Sequence, residues 1–210
     1  MTKQSEKPVL YYLLMDASMS MRFCWEEMLD ALYQHLEYLN KVNRKFPRRP
    51  LYFSCCFFNS EITICPAPVM IHQARKILPD VSPDGKTALY DAIGKSILSL
   101  KKWLNTDRFP IDTEVVMIIL TDGHDNSSVD FRKADVVRIF SIMHRIPTWH
   151  VGFLGAGFST TAYVNKILVD GFYSHIFDKR DMDKAFEQLN LNFLNYISAF
   201  SSTMFPASMS

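Results

Sequence analysis

The chain has 210 residues, a formal net charge of +1 at neutral pH, and 48% hydrophobic residues. That length suffices for one well-buried domain and is short for two, while the apolar content and balanced charge exclude a disordered chain and an electrostatic nucleic-acid binder. Cys24, Cys55, Cys56 and Cys65 show no C-x-x-C spacing and read as buried reduced thiols rather than zinc ligands. No apolar run approaches the ~18 residues of a membrane span, and the polar opening Met1–Pro8 precedes too short an apolar run for a signal peptide. The expectation is a soluble, cytoplasmic protein with neither nucleic acid nor membrane as partner.

Val9 to Met15 is apolar throughout, as in a strand covered on both faces. It runs into Asp16-Ala17-Ser18-Met19-Ser20, where a carboxylate and two hydroxyls occupy alternate positions. Trp25, Leu29, Leu32, Leu36 and Leu39 then recur at helical spacing, predicting an amphipathic helix of about five turns that ends near the basic stretch Arg44–Pro50. The basic residues suit the negative end of the helix dipole. Leu51 to Phe58 is a second apolar strand, and Asn59-Ser60 turns it into Glu61–Cys65, which alternates and is cut off by Pro66 and Pro68. A tight turn, alternation and proline together predict one antiparallel edge strand on an otherwise parallel sheet.

A short helix is expected over Ile71–Leu78. The turn-rich loop Ser82–Thr87 opens a second long helix, with Ala88, Ile93, Ile97, Leu100 and Leu104 on its apolar face. Val115–Leu120 is a third buried strand, ending in Thr121-Asp122-Gly123. A helix over Phe131–Met143, a strand over Ile146–Leu154, a helix over about Thr160–Val169, a short strand over Tyr173–Phe177 and a final helix from Met182 to about Ala199 follow. With no internal repeat and no linker, residues 1–200 are expected to form a single domain, and 201–210 a flexible tail. The alternation of strand and helix predicts an α/β fold: a doubly wound, Rossmann-like sheet of about six strands, mostly parallel, with helices on both faces.

In such a fold, ligands bind beyond the carboxyl ends of the strands where the strand order reverses. Asp16, Ser18 and Ser20 leave the first strand there, Asp122 leaves the Val115–Leu120 strand, and Thr87 lies in a loop able to reach the same crevice. Each is individually compatible with a structural task, Asp16, Ser18 and Thr87 as helix caps and Asp122-Gly123 as a turn. Together they offer five oxygen side chains with no histidine or cysteine, a set suited to Mg²⁺ or Mn²⁺ rather than zinc. Two carboxylates leave such a site near neutral once a dication is bound, so an incoming carboxylate would be attracted.

Asp16-x-Ser18-x-Ser20, the stretch Gly85–Ala92 and Thr121-Asp122-Gly123 resemble the metal-ion-dependent adhesion site of von Willebrand factor A (VWA) domains, in matching order along nearly the full chain. The resemblance implies a Mg²⁺ or Mn²⁺ ion held by Asp16, Ser18, Ser20, Thr87 and Asp122, and a non-catalytic role in which a partner protein supplies an Asp or Glu carboxylate. Within the family the chain looks most similar to stand-alone bacterial TerY-type proteins linked to tellurite resistance and stress response, on its compactness and its Tyr196-Ile197-Ser198-Ala199 ending. It departs in carrying Ala17 and Met19 where family members often have glycine, which admits backbone conformations these residues resist. Asp91 is expected to cap or brace the site, Asp125 to satisfy loop amides, and His124 to be an exposed loop residue.

Two other readings remain. One is a Mg²⁺-dependent phosphatase or phosphotransferase resembling the haloacid dehalogenase superfamily, with Asp16 as nucleophile and Asp122-Gly123-His124-Asp125 read as fitting its D-G-x-x-D metal motif. Its general acid would stand two residues after the nucleophile, where this chain has Ser18. The other is a purely structural domain with a vestigial site.

Overall fold

The computed structural model describes residues 7–156, 173–177 and 181–202. Strand β1 (Val9–Asp16) leads through a 3-10 segment (Met19–Cys24) into helix α1 (Trp25–Lys45). Strands β2 (Leu51–Phe58), β3 (Ile62–Ile64) and β4 (Val69–Met70) precede a second 3-10 segment (Ile71–Ile77) and helix α2 (Leu89–Leu104). Strand β5 (Glu114–Thr121), helix α3 (Lys133–Met143), strands β6 (Trp149–Ala156) and β7 (Tyr173–Phe177), and helix α4 (Met182–Ser202) complete the described order. The helix expected over about Thr160–Val169 lies outside the described residues, and α4 runs to Ser202, past the expected end near Ala199.

The sheet order is β3-β2-β1-β5-β6-β7, with β4 also paired to β2. β1 is parallel to both β2 and β5, and β6 and β7 continue in parallel on the far side. The chain therefore moves outward from β1 in one direction and later in the other, so the order reverses between β1 and β5. Every residue of β1 and β5 is buried, which is why both read as unbroken apolar runs. Alternate residues of β1 serve two cores. Tyr11, Leu13 and Met15 join α1 and α4 on one face, while Leu10, Tyr12 and Leu14 join α2 and α3 on the other.

The antiparallel edge is longer than the expected hairpin. β3 pairs with the end of β2 (Cys56↔Ile64), and β4 re-pairs farther back (Phe53↔Val69). Between these registers the edge holds four residues against two on β2, a bulge containing Pro66 and Pro68, where neither proline must donate to the ladder. Where a short helix over Ile71–Leu78 is expected, the chain forms a 3-10 segment over Ile71–Ile77, and Leu78 is already extended. On α1 the buried stripe runs through Met28, with Leu29 only half-buried, and it includes His35, which is 0% exposed. His35 Nδ1 lies 2.7 Å from Asn190 Oδ1 and Nε2 lies 2.9 Å from the Tyr11 hydroxyl, so the ring pins α1 to α4 and β1.

Candidate metal centre

The end of β1 sets the site. Asp16, wholly buried, accepts the Ser18 backbone N–H at Oδ1 (2.8 Å) and the Thr121 hydroxyl at Oδ2 (2.6 Å). The first bond is the local Asx closure that lets the chain turn out of the strand; the second ties β1 to the end of its neighbour β5. Burial pushes the Asp16 carboxyl up to about 6, against the lowering effect of the Thr121 and Ser18 hydrogen bonds, and the nearby Asp122 charge adds to the rise. Each Asp16 oxygen keeps a lone pair beyond these bonds.

The hydroxyls and Asp122 form a connected row. Ser18 Oγ lies 3.0 Å from Ser20 Oγ, and Ser20 Oγ donates to Asp122 Oδ1 at 2.7 Å. Ser18 is buried, Ser20 exposed and Asp122 half-buried, so the row runs from the interior to the surface. Thr87, also buried, has its hydroxyl 3.4 Å from the position that a Cβ on Gly123 would occupy. All five expected side chains thus gather beyond the carboxyl ends of β1 and β5, where the strand order reverses.

The capping alternatives fail on geometry. Ser18 stands before the Met19–Cys24 segment without a side-chain capping bond, and α2 begins after Ala88, not Thr87. Instead, the first amides of α2 are served from the loop after β5. Tyr90 N–H donates to Asp125 Oδ1 (3.2 Å) and Asp91 N–H to Ser128 Oγ (3.0 Å). Asp91 returns the favour, accepting the backbone amides of Val129, Asp130 and Phe131 at 2.7–2.9 Å. Asn126 and Thr87 bond reciprocally, Thr87 N–H to Asn126 Oδ1 at 2.8 Å and Asn126 N–H to Thr87 O at 2.9 Å. Gly94 lets the Phe131 ring sit against α2, since a Cβ there would fall 2.5 Å from the ring.

Backbone bonds lace the remaining loops together. Ala17 N–H donates to Phe58 O, Asp84 N–H to Ala17 O and Met19 N–H to Gly85 O, at 2.7–3.2 Å. Gly85 takes the left-handed φ of +67° that this crossing needs. Among the described residues no non-glycine residue has positive φ, so Ala17 and Met19 adopt the β1 turn without left-handed strain. Ala17 is buried in the core as well.

Two readings of the β5 loop are sharpened. Asp125 is engaged with Tyr90 N–H and the Ser128 hydroxyl, bracing the loop as expected. It also stands three residues after Asp122, whereas D-G-x-x-D places its second acid at position 126, which is Asn. In the sequence Thr121 stands out only as part of the Thr121-Asp122-Gly123 motif, with no role of its own, and Asn126 and Ser128 are not distinguished; their partners are 37 to 105 residues away. Among the described residues no group of three or more His, Cys, Asp or Glu could hold a metal. The donors gathered here are two carboxylates and three hydroxyls, which suit a hard divalent cation with water or an outside oxygen filling its shell.

No family model and no curated protein matches the chain by sequence. By structure it is similar to a von Willebrand factor type A protein from Catenulispora acidiphila (15% identity, TM-score 0.61, 88% of this chain and 42% of that one). It is also similar to proximal thread matrix protein 1 from the mussel byssus with a zinc-occupied MIDAS motif (14% identity, TM-score 0.63, 91% of this chain and 47% of that one). A third likeness is the SpRpn10 VWA domain (9% identity, TM-score 0.58, 86% of this chain and 95% of that one). The chain has the fold of VWA domains. It spans under half the length of the first two of these structures. Among the described residues no helix is long and apolar enough to cross a membrane.

Proposed function

We propose that this chain is a divalent-metal-dependent protein-binding module in which Asp16, Ser18, Ser20, Thr87 and Asp122 hold Mg²⁺ or Mn²⁺ and a partner protein supplies an Asp or Glu carboxylate. The supporting observation is that three hydroxyls and two carboxylates from three loops meet at the strand-order reversal without being consumed as helix caps. The zinc at the MIDAS motif of the mussel protein supports a divalent ion at the equivalent place in this fold. When bound, the ion would act as a Lewis acid toward the partner's carboxylate. The chain's own residues position the site: Thr121 and the Ser18 amide fix Asp16, Ser20 and Asp122 orient each other, and Asn126 holds the backbone of Thr87.

The role is non-catalytic in this reading. The position two residues after Asp16 carries a hydroxyl 3.0 Å from Ser20 rather than a carboxylic acid, so a phosphotransferase would lack its leaving-group proton donor. The narrower placement, a TerY-type module of a bacterial stress-response or tellurite-resistance system acting in the cytoplasm, is part of the proposal and rests on the Tyr196–Ala199 resemblance. Calorimetric titration with Mg²⁺ and Mn²⁺ tests the core of it. Wild type should bind and Asp16→Ala should not; equal heats from both would sink the reading. Partner capture should then be lost with EDTA and with Thr87→Ala, whereas capture indifferent to both would leave only the structural alternative.

A further inference from the structure

Cys55 lies on β2 and Cys65 immediately follows β3. Extending the β2–β3 register from Cys56↔Ile64 by one residue places the two cysteines directly opposite, and Cys65 N–H donates to Cys55 O at 3.0 Å. Their side chains share the α1 face of the sheet, whereas Cys56 faces the other core. The two sulfurs are 3.2 Å apart and both are free thiols. Directly opposed residues of an antiparallel pair have Cα atoms about 4.5–5.5 Å apart, inside the ~4.4–6.8 Å range of disulfides. Closure to the ~2.05 Å bond therefore needs a movement of about 1 Å. The chain can supply it on one side, because Cys65 opens the bulge between β3 and β4.

We propose that Cys55 and Cys65 form a redox-responsive dithiol, which a hydroperoxide converts to a reversible intramolecular disulfide clamping the edge strand to β2. Cys65 is the attacking sulfur. It lies just past the outer strand beside the bulge and, though buried, is the less enclosed of the pair (3% exposed against 0% for Cys55). The hydrogen bond the two share lowers its thiol pKa, whereas that bond and burial push Cys55 up. The Cys65 thiolate attacks the peroxide oxygen, giving a sulfenic acid and releasing the alcohol, or water from hydrogen peroxide. The Cys55 sulfur then displaces hydroxide from the sulfenic acid, and the Cys55 proton leaves with it as water. Two thiols are thus oxidised by two electrons and one peroxide is reduced. The Cys65 hydrogen bond to Ile77 O (3.0 Å) is lost in the process, because its proton leaves. Cys24, which donates to Met21 O on a different segment, takes no part.

The full chain, reduced and freed of reductant, is treated with excess hydrogen peroxide, then denatured, alkylated and mapped by mass spectrometry. Free thiols should fall from four to two, the mass should drop by about 2 Da, and a peptide pair joining Cys55 to Cys65 should appear and vanish with dithiothreitol. The disulfide form should also melt a few degrees higher. Cys55→Ser should instead accumulate a sulfenic acid at Cys65 that reacts with dimedone. Four intact thiols, a linkage involving Cys24 or Cys56, or Cys65 advancing to sulfinic acid in wild type without a disulfide would each overturn the proposal. Mapping on wild type decides even where the serine variant does not fold.

Discussion

Thr121→Val removes one oxygen and leaves the shape of the side chain nearly unchanged, so its effect reports on the hydroxyl. Thr121 is wholly buried, and its Oγ1 donates to Asp16 Oδ2 at 2.6 Å and accepts Gly123 N–H at 3.2 Å. A hydrogen bond to a charged group contributes about 1.5–3 kcal/mol. Gly123 is half-buried and water can replace part of its lost acceptor, which places that second loss near the lower end of ~1–3 kcal/mol. The added methyl returns less than about 0.8 kcal/mol. The variant should therefore be less stable by about 2–3 kcal/mol in urea unfolding with EDTA present. With Asp16 no longer fixed, Mg²⁺ affinity should also fall by about 10- to 100-fold, the usual effect of losing a group that orients a ligand. An unfolding free energy within about 0.5 kcal/mol of wild type would refute the assignment of Thr121 as the brace of Asp16.

In mild acid His35, whose burial pushes its pKa from 6.5 to about 4, should draw stability down, in opposition to Asp16, whose pKa raised to about 6 works the other way over the same range. Below pH 6.5 the unfolded chain takes up a proton that the folded chain refuses until about pH 4, so stability is lost as pH falls through this window. The full His35 contribution is about 3 kcal/mol, so urea unfolding at pH 7 and pH 5 should show stability in His35→Gln shifting toward the acid side relative to wild type; an identical change in both proteins would place the effect elsewhere. Asp91→Asn turns an acceptor toward Val129 N–H into a donor, so it should destabilise by about 1.5–3 kcal/mol and speed hydrogen exchange at residues 129–131. Exchange there no faster than wild type would mean that Asp91 does not hold the loop.

The elements that patterning anticipates are those whose signal is local. β1, β2 and β5 stand out because a central parallel strand is apolar on both faces, and α1 because its stripe recurs over many turns. The edge was legible as far as Cys65, since turn and alternation lie within a few residues. β4 was not, because Val69–Met70 is too short to carry any period and is defined by its pairing with β2. His35 falls on the buried stripe of α1 yet is polar; only Asn190 and Tyr11, distant in sequence, explain it. At the candidate site, residue types that ligate a hard cation could be picked out, whereas the supports could not. Thr121 belongs to a motif legible in the sequence, but its role as the brace of Asp16 emerges only when β1 and β5 are side by side, and Asn126 is one more turn residue until it meets Thr87. The concern over Ala17 and Met19 dissolves for a related reason, since the left-handed residue among these crossing loops is Gly85.

Asp16 gives a way to separate what the site does from what the fold needs. A carboxylate at 0% exposure at the end of an apolar strand loses hydration that two hydrogen bonds restore only in part. Asparagine would fit the same space: its oxygen can accept the Ser18 amide, and its NH₂ can donate to Thr121 Oγ1. The Thr121 hydroxyl then has Gly123 O, 3.3 Å away, as an alternative acceptor. If Asp16 is there to hold a cation, Asp16→Asn in EDTA should be as stable as wild type or more so, by up to about 2 kcal/mol. The same variant should lose the stabilisation that Mg²⁺ gives wild type through binding the folded state. The two readouts move in opposite directions, which a structural carboxylate would not allow. A variant destabilised by more than about 1 kcal/mol without metal would show that the fold itself depends on the charge.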